Sequence, residues 1–399
     1  MARQAPPPPP EPDAAAVAHS HALRERIDAA IAMAGGVLDF ADYMALALYA
    51  PGLGYYSAGQ ERFGPGGDFT TAPLVSALFS RTLAREVERI LVASNGDTVL
   101  EFGAGTGRMA ADVLAELQQR EALPARYQIL EVSADLRAQQ ARTLAERVPA
   151  LAARVEWLER LPETPITGAV LANEVLDALP VRRFRRLAQG IEALGAGHDQ
   201  QGTLCWRGKP ADAELEAAVA AMEAECGAPL PEGYVSEWCA GLAPWVSGLA
   251  DTLKRGAALL IDYGYPRREY YHPQRTHGTL LCHYRHRAHD DPFFWPGLQD
   301  ITASVDFTLA ARAAREAGLE VLGFATQGNF LAGAGLPALL EESAGGNPHR
   351  AAELAQQAKP LLFPDEMGER FKVLGVGRGL PEAEAPLRGF EFTDHRERL

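Results

Sequence analysis

VLEFGAGTGRMAADVL, residues 99–114, places Gly103, Gly105 and Gly107 between two apolar segments of different rhythm. The run Thr98–Phe102 has the length and the Val, Leu and Phe content of a buried strand, while Met109–Arg120 repeats its apolar residues at helical spacing. Glycines without side chains let the chain turn tightly and approach a ligand closely. The helix that follows offers unpaired N–H groups at its start.

The same alternation continues downstream. Gln128–Val132 reads as a strand and Ala134–Glu146 as a helix; Val155–Leu158 and Ala169–Ala172 read as strands three and four. A helix at 238–254 leads to a fifth strand, Ala257–Asp262, then a helix at 307–317 and strands at 320–325 and 371–376. Strands separated by helices of this length imply right-handed crossovers and a mostly parallel sheet. Upstream, helical patterns cover 23–33, a short stretch from Asp39 and 74–92, and a Gly/Pro-rich loop with aromatic residues runs from Pro51 to Pro73. Residues 181–210 look like antiparallel strands with a polar turn, 211–225 like a helix, and 335–358 like a helical excursion.

Bulk composition narrows the function classes. Of 399 residues 47% are apolar and 23% charged, the balance of a globular protein. Lys and Arg number 38 against 52 Asp and Glu, a net charge of −14 that disfavours nucleic acid and anionic membranes as partners. No apolar run is long enough to span a bilayer. The four cysteines form no CxxC pair, and the N-terminal stretch has no apolar signal core, so a cytoplasmic, reducing address is expected.

The glycine pattern discriminates between cofactors. A nicotinamide fingerprint needs a glycine at the sixth position from Gly103, and that position is Arg108. What is present, E-x-G-x-G-x-G beginning at Glu101, is the pattern of methyltransferases that bind S-adenosylmethionine. Glu101 would then accept from the cationic methionine end of that cofactor. Glu131, closing the second strand, suits paired hydrogen bonds to the ribose hydroxyls. The plain structural alternative is that Ser133 caps the next helix and Glu131 is merely exposed.

LANEVLDALPVRRF, 171–184, carries the second informative cluster. Asn173 and Glu174 fall just past strand four, near the point where strand order reverses and ligands bind in such sheets. Glu174 and Asp177 would share a face if the chain turned helically there, and two carboxylates can grip and orient a guanidinium. Alternatively Asn173 caps a helix and Glu174 sits in its first turn.

Eight segments, FGPGGDFTTAP (63–73), LEFGAGTGRMAADVL (100–114), LEVSADLRAQQ (130–140), ANEVLDALPVRRF (172–184), LIDYGYP (260–266), HGTLLCHYRHRAHDDPF (277–293), PGLQDITASVDF (296–307) and DEMGERFKVL (365–374), together resemble the MidA-like methyltransferases. These are bacterial and mitochondrial proteins whose mitochondrial members assist assembly of respiratory complex I. The resemblance runs from about residue 40 to 376. It implies an α/β, class I methyltransferase (Rossmann-like) fold with a mostly parallel sheet, an N-terminal helical region and insertions after strands four and five. It implies S-adenosylmethionine as methyl donor and a protein arginine as acceptor.

On that basis the chain divides into a Pro-rich disordered tail (1–18), a helical region with a cofactor-covering loop (19–94), a methyltransferase domain (95–376) and a C-terminal tail (377–399). The domain carries insertions at about 181–255 and 264–305. Gly67, Asp68, Phe69 and Thr71 would cover the cofactor. Asp262, Gln299, Asp300, Thr302 and Asp306 would line the acceptor side, each with a turn or cap as its plain alternative. Cys282, His283, His286 and His289 fit no closed zinc pattern, and Arg285 and Arg287 interleave with them, so no metal is expected. An assembly factor without catalysis and a small-molecule methyltransferase are the competing readings. The oligomeric state has no signature in the sequence.

Overall fold

The computed structural model describes residues 10–57, 71–381 and 387–399. The chain separates into two compact units. One comprises the described residues up to 70 together with Ala178–Cys239 and Pro273–Ala303. The other comprises Thr71–Asp177, Ala240–His272 and the described part of Ser304–Leu399.

The second unit contains the central sheet. Its strands in chain order are β1 (Thr98–Phe102), β2 (Arg126–Leu130), β3 (Val155–Leu158), β4 (Ile166–Asn173), β5 (Leu253–Tyr265), β6 (Glu320–Thr326) and β7 (Phe371–Arg378). Their spatial order is 3-2-1-4-5-7-6, with a short eighth strand, Val305–Asp306, beside the end of β5. Pairing is parallel from β3 to β5, and β7 runs antiparallel to both neighbours. Strand order reverses between β1 and β4, where Phe102 stands opposite Ala172. The crevice beyond those carboxyl ends is the ligand position of such sheets.

Both faces of the sheet are covered, which is why its strands read as nearly unbroken apolar runs. Val99, Ala169, Leu171, Leu259 and Val373 join one core with Phe79, Leu83 and Val87 of the helix Ala77–Ser94 and Val113 and Leu117 of Arg108–Gln119. Leu100, Val170, Leu260 and Leu374, one residue out of phase, are buried on the opposite face. The excursion at 335–358 resolves into two helices, Leu336–Ala344 and Pro348–Leu362, separated by Gly345 and Gly346; left-handed Gly335 divides them from a preceding helix, Gln327–Ala334.

In the first unit, the helices Ala14–Met33 and Phe40–Tyr49 pack Leu23, Ile27, Phe40, Tyr43 and Met44 against Val181, Ala196, Cys282 and Ile301. The antiparallel strands Arg182–Arg186, Ile191–His198, Leu204–Pro210 and Val235–Trp238 form one sheet with Leu38–Asp39, and Leu281–Tyr284 pairs with Arg287–His289 and Asp300–Thr302.

Three boundaries differ from the sequence reading. The first helix starts at Ala14, inside the stretch expected to be a tail, because Asp13 caps it by accepting from Ala16 N at 2.9 Å. The region 19–94 is divided, its first two helices in one unit and Ala77–Ser94 in the other. The C-terminal segment is no tail: Leu387 and Phe390 are buried in the core of the sheet unit, and His395 N donates to Phe324 O of β6 at 2.7 Å. Among the described residues no helix is long and apolar enough to cross a membrane.

Candidate active site

β1 delivers the chain into the glycine turn. Gly103, Gly105 and Gly107 have φ of 60°, 52° and 81°, so all three occupy left-handed backbone. Gly107 is required for a second reason: a Cβ there would stand 2.9 Å from the Cα of Gln140. The turn is thus pressed against the helix Ala134–Arg147, and only glycine permits that approach.

Glu101 lies on β1, fully buried, and Tyr127 of β2 donates its hydroxyl to Oε2 at 2.6 Å. Burial pushes the Glu101 carboxyl up to about 7, and the tyrosine's hydrogen bond pulls against that shift. Oε1 of Glu101 is buried with no hydrogen-bond partner among the described residues. Such an orphan acceptor marks a place for a donor that the described residues do not supply.

Glu131 follows β2, and its carboxylate is held at both oxygens. Oε1 accepts from Ser133 N at 2.9 Å and Oε2 from Gln140 Nε2 at 3.1 Å. Burial raises its pKa, and those hydrogen bonds lower it. Ser133 is the cap of the following helix, its hydroxyl accepting from Leu136 N at 3.4 Å. The cap alternative for Ser133 therefore holds, while Glu131 is buried and not merely exposed. Thr71 stands at the start of the short helix Ala72–Val75 and makes no side-chain cap there. Gly67, Asp68 and Phe69 lie outside the described residues.

At the end of β4 the expected helical turn is absent, because Glu174 has φ of 55° and the chain leaves the strand in left-handed backbone. Glu174 N nevertheless donates to Ile261 O at 2.9 Å, so the turn is tied to β5. Asn173 Nδ2 donates to Glu174 Oε1 at 3.0 Å, and Asn173 Oδ1 is buried with no hydrogen-bond partner among the described residues. Asp177 is buried at the foot of the same loop.

Asp262 and Asp306, expected on the acceptor side, both have internal partners. Asp262 Oδ2 accepts from the N–H groups of Val175, Leu176 and Asp177 at 3.2, 2.8 and 3.1 Å, and Oδ1 from Tyr263 N at 2.8 Å. With four backbone donors on a buried carboxylate, it shapes the β4 loop. Asp306 caps the helix Phe307–Glu316 through Leu309 N and pairs with Arg267 at 2.8 Å.

Gln299, Asp300 and Thr302 belong to the other unit, where each has an internal partner. Gln299 Nε2 donates to Pro292 O at 2.8 Å, Tyr56 donates its hydroxyl to Asp300 at 2.9 Å, and the Thr302 hydroxyl reaches Leu281 O at 3.3 Å. Among the described residues no group of three His, Cys, Asp or Glu side chains stands close enough to hold a metal ion.

Residues 78–325 match the sequence profile of a family of S-adenosyl-L-methionine-dependent methyltransferases. The chain belongs to that family. A crystal structure of a Burkholderia thailandensis protein bound to S-adenosyl-homocysteine is 44% identical to this methyltransferase, covers 98% of it and 100% of its own chain, and superposes with a TM-score of 0.92. The protein arginine methyltransferase NDUFAF7, mitochondrial, of Danio rerio is 27% identical over 87% of this chain and 85% of its own. The Drosophila melanogaster homologue of the same name is 28% identical over 92% and 88%.

The methyltransferase's own residues suit the cofactor its family uses. Three of the five residues in the turn at 103–107 are glycine, Glu101 Oε1 is buried without a partner among the described residues, and Glu131 keeps acceptor capacity. Gln140, Trp157 and Tyr127, which hold these groups, escaped the sequence reading. Gln140 had a signal: it shares the buried helix face of Leu136 and Leu144, where an apolar residue is the rule.

Proposed function

We propose that this methyltransferase N-methylates an arginine side chain of a protein partner, a respiratory complex I subunit or a similar one. The observation that carries the reading is Glu174, a carboxylate held in left-handed backbone at the carboxyl end of β4, next to the strand that enters the glycine turn. The names of the mitochondrial relatives support the acceptor class. A cytoplasmic address is proposed on cysteine usage, four widely spaced cysteines without a CxxC pair.

A guanidinium keeps its proton at neutral pH, so the protein's task is to orient it and draw its charge away from the attacking nitrogen. In this proposal Glu174 receives the guanidinium N–H groups, and Asn173, donating to Glu174, fixes the carboxylate's direction. Asp177 adds negative charge at the base of the loop that Asp262 holds. Glu131 takes the sugar hydroxyls and Glu101 the cationic amino-acid end. S-adenosylmethionine, when bound, supplies an electrophilic methyl group on a sulfonium. The protein's share is then chiefly alignment of donor and acceptor.

The test uses tritiated S-adenosylmethionine and a lysate from cells lacking this protein. A discrete labelled band that yields methylarginine on acid hydrolysis is the expected result. Glu174→Gln should abolish that label while binding S-adenosylhomocysteine like the parent. Label confined to the small-molecule fraction, or undiminished transfer by the variant, would remove the arginine assignment.

A further inference from the structure

The group that joins the glycine turn to the Glu131 carboxylate is an amide. Gln140 is completely buried on the helix Ala134–Arg147. Its Oε1 accepts from Trp157 Nε1 of β3 at 2.9 Å. Its Nε2 stands 3.1 Å from the carbonyl oxygen of Gly105 and 3.1 Å from Glu131 Oε2. An indole N–H can only donate, and a carbonyl and a carboxylate can only accept. The amide therefore has one possible orientation, and Trp157 prevents it from flipping.

We propose that Gln140 is a positioning residue of the cofactor site, fixing the sugar-binding carboxylate and the glycine turn in one frame before the cofactor arrives. The inference rests on the assignment of Glu131 to the ribose. A carboxylate offers about four acceptor positions, two on each oxygen. Ser133 N occupies one on Oε1 and Gln140 Nε2 one on Oε2. Acceptor capacity is left on the carboxylate for the sugar hydroxyls. Rotating the carboxylate would break both internal bonds, so its direction is set by the fold and costs nothing at the moment of binding. The second Nε2 proton does the same for Gly105, whose carbonyl is held toward the helix, away from the ligand side of the turn. The close approach of Gly107 to the Gln140 backbone ties the third glycine to the same frame.

Gln140→Glu preserves the side chain's shape and the acceptor for Trp157. It replaces the double donor with an oxygen that faces Glu131 and the Gly105 carbonyl. Calorimetric titration with S-adenosylhomocysteine and with its 2′-deoxyribose analogue, at pH 8 and at pH 5.5, reads the consequence. The parent should prefer the ribose form. The variant should bind that form roughly 10- to 100-fold more weakly at pH 8, the worth of one or two hydrogen bonds to a charged group. It should lose much less for the analogue, and recover part of its affinity at pH 5.5, where the introduced carboxyl takes up a proton and can donate again. Trp157→Phe, which leaves the amide free to flip, should show the same preference for the sugar at a smaller size, and it decides the matter if the first variant does not fold. Equal weakening for both ligands at both pH values, or no weakening, would overturn the positioning role. If the parent itself gives no heat with S-adenosylhomocysteine, the assignment of Glu131 fails first and this inference with it.

Discussion

Tyr127 donates its hydroxyl to Glu101 across 2.6 Å inside the sheet, joining β2 to the strand that enters the glycine turn. The acid lies where desolvation favours its neutral form, and its pKa rises from 4.5 to about 7. Between those values the folded chain holds a proton that the unfolded chain has released, so this group's contribution to stability is full at low pH and is lost as pH rises.

Glu101→Gln should therefore flatten that dependence. The amide can still accept from Tyr127, and nothing at position 101 has to ionise. Urea unfolding between about pH 5 and pH 8 should show the variant gaining on the parent by about 1–3 kcal/mol as pH rises. Its affinity for S-adenosylmethionine should fall at neutral pH, since a neutral amide attracts the cationic end less. Parallel stability curves for parent and variant would mean that the carboxylate stays ionised throughout.

Much of this architecture is legible in the sequence, for reasons particular residues make plain. β1 has the bounds read for it, Thr98–Phe102, because a turn at Asn95 and Gly96 opens it and Gly103 closes it. β4 begins three residues earlier than expected, at Ile166, because Gly168 lies inside the strand. There a Cβ would stand 2.0 Å from Thr98 O, so the glycine marks close packing of backbones and not the strand's end. Glu131 could be placed because a carboxylate closing the second strand is a local signal. The hold of Asp262 on the β4 loop could not be read, since an acid after a strand looks the same whether it meets a ligand or the N–H of Leu176, 86 positions away in the chain.

The C-terminal segment gives a stability test. Phe390 packs edge-on against Phe330, with ring centroids 5.1 Å apart, and is 7% exposed. Phe390→Ala should cost about 3–5 kcal/mol through lost transfer energy and the cavity left behind. Thermal unfolding of the variant would check it. A change within about 0.5 kcal/mol, the usual size for a surface position, would return this segment to the status of a tail.

Asp262→Ala should strand the buried N–H groups of Val175, Leu176 and Asp177, at about 1–3 kcal/mol for each that water cannot reach. The loop that presents Glu174 should then lose its shape, and methyl transfer should fall by about tenfold or more, the effect of a small misplacement. Asp262→Asn keeps one acceptor oxygen and should retain more of both stability and rate. Steady-state kinetics together with urea melts separate the two variants. Full activity in the alanine variant would show that the β4 loop is ordered without this carboxylate.

Glu174 offers the sharpest separation of stability from function. A residue with a side chain in left-handed backbone costs about 1–2 kcal/mol, and glycine avoids most of that cost. Glu174→Gly also removes the acceptor for Asn173 Nδ2, a loss of about 1 kcal/mol that solvent at this half-buried position can offset. The variant should melt within a few degrees of the parent. If the carboxylate is there to hold the methyl acceptor, the same variant should bind S-adenosylhomocysteine normally and transfer no methyl group. A fold that tolerates or prefers glycine while the reaction requires glutamate would show that the strain serves chemistry. Loss of stability with activity retained would show the reverse, that Glu174 belongs to the scaffold.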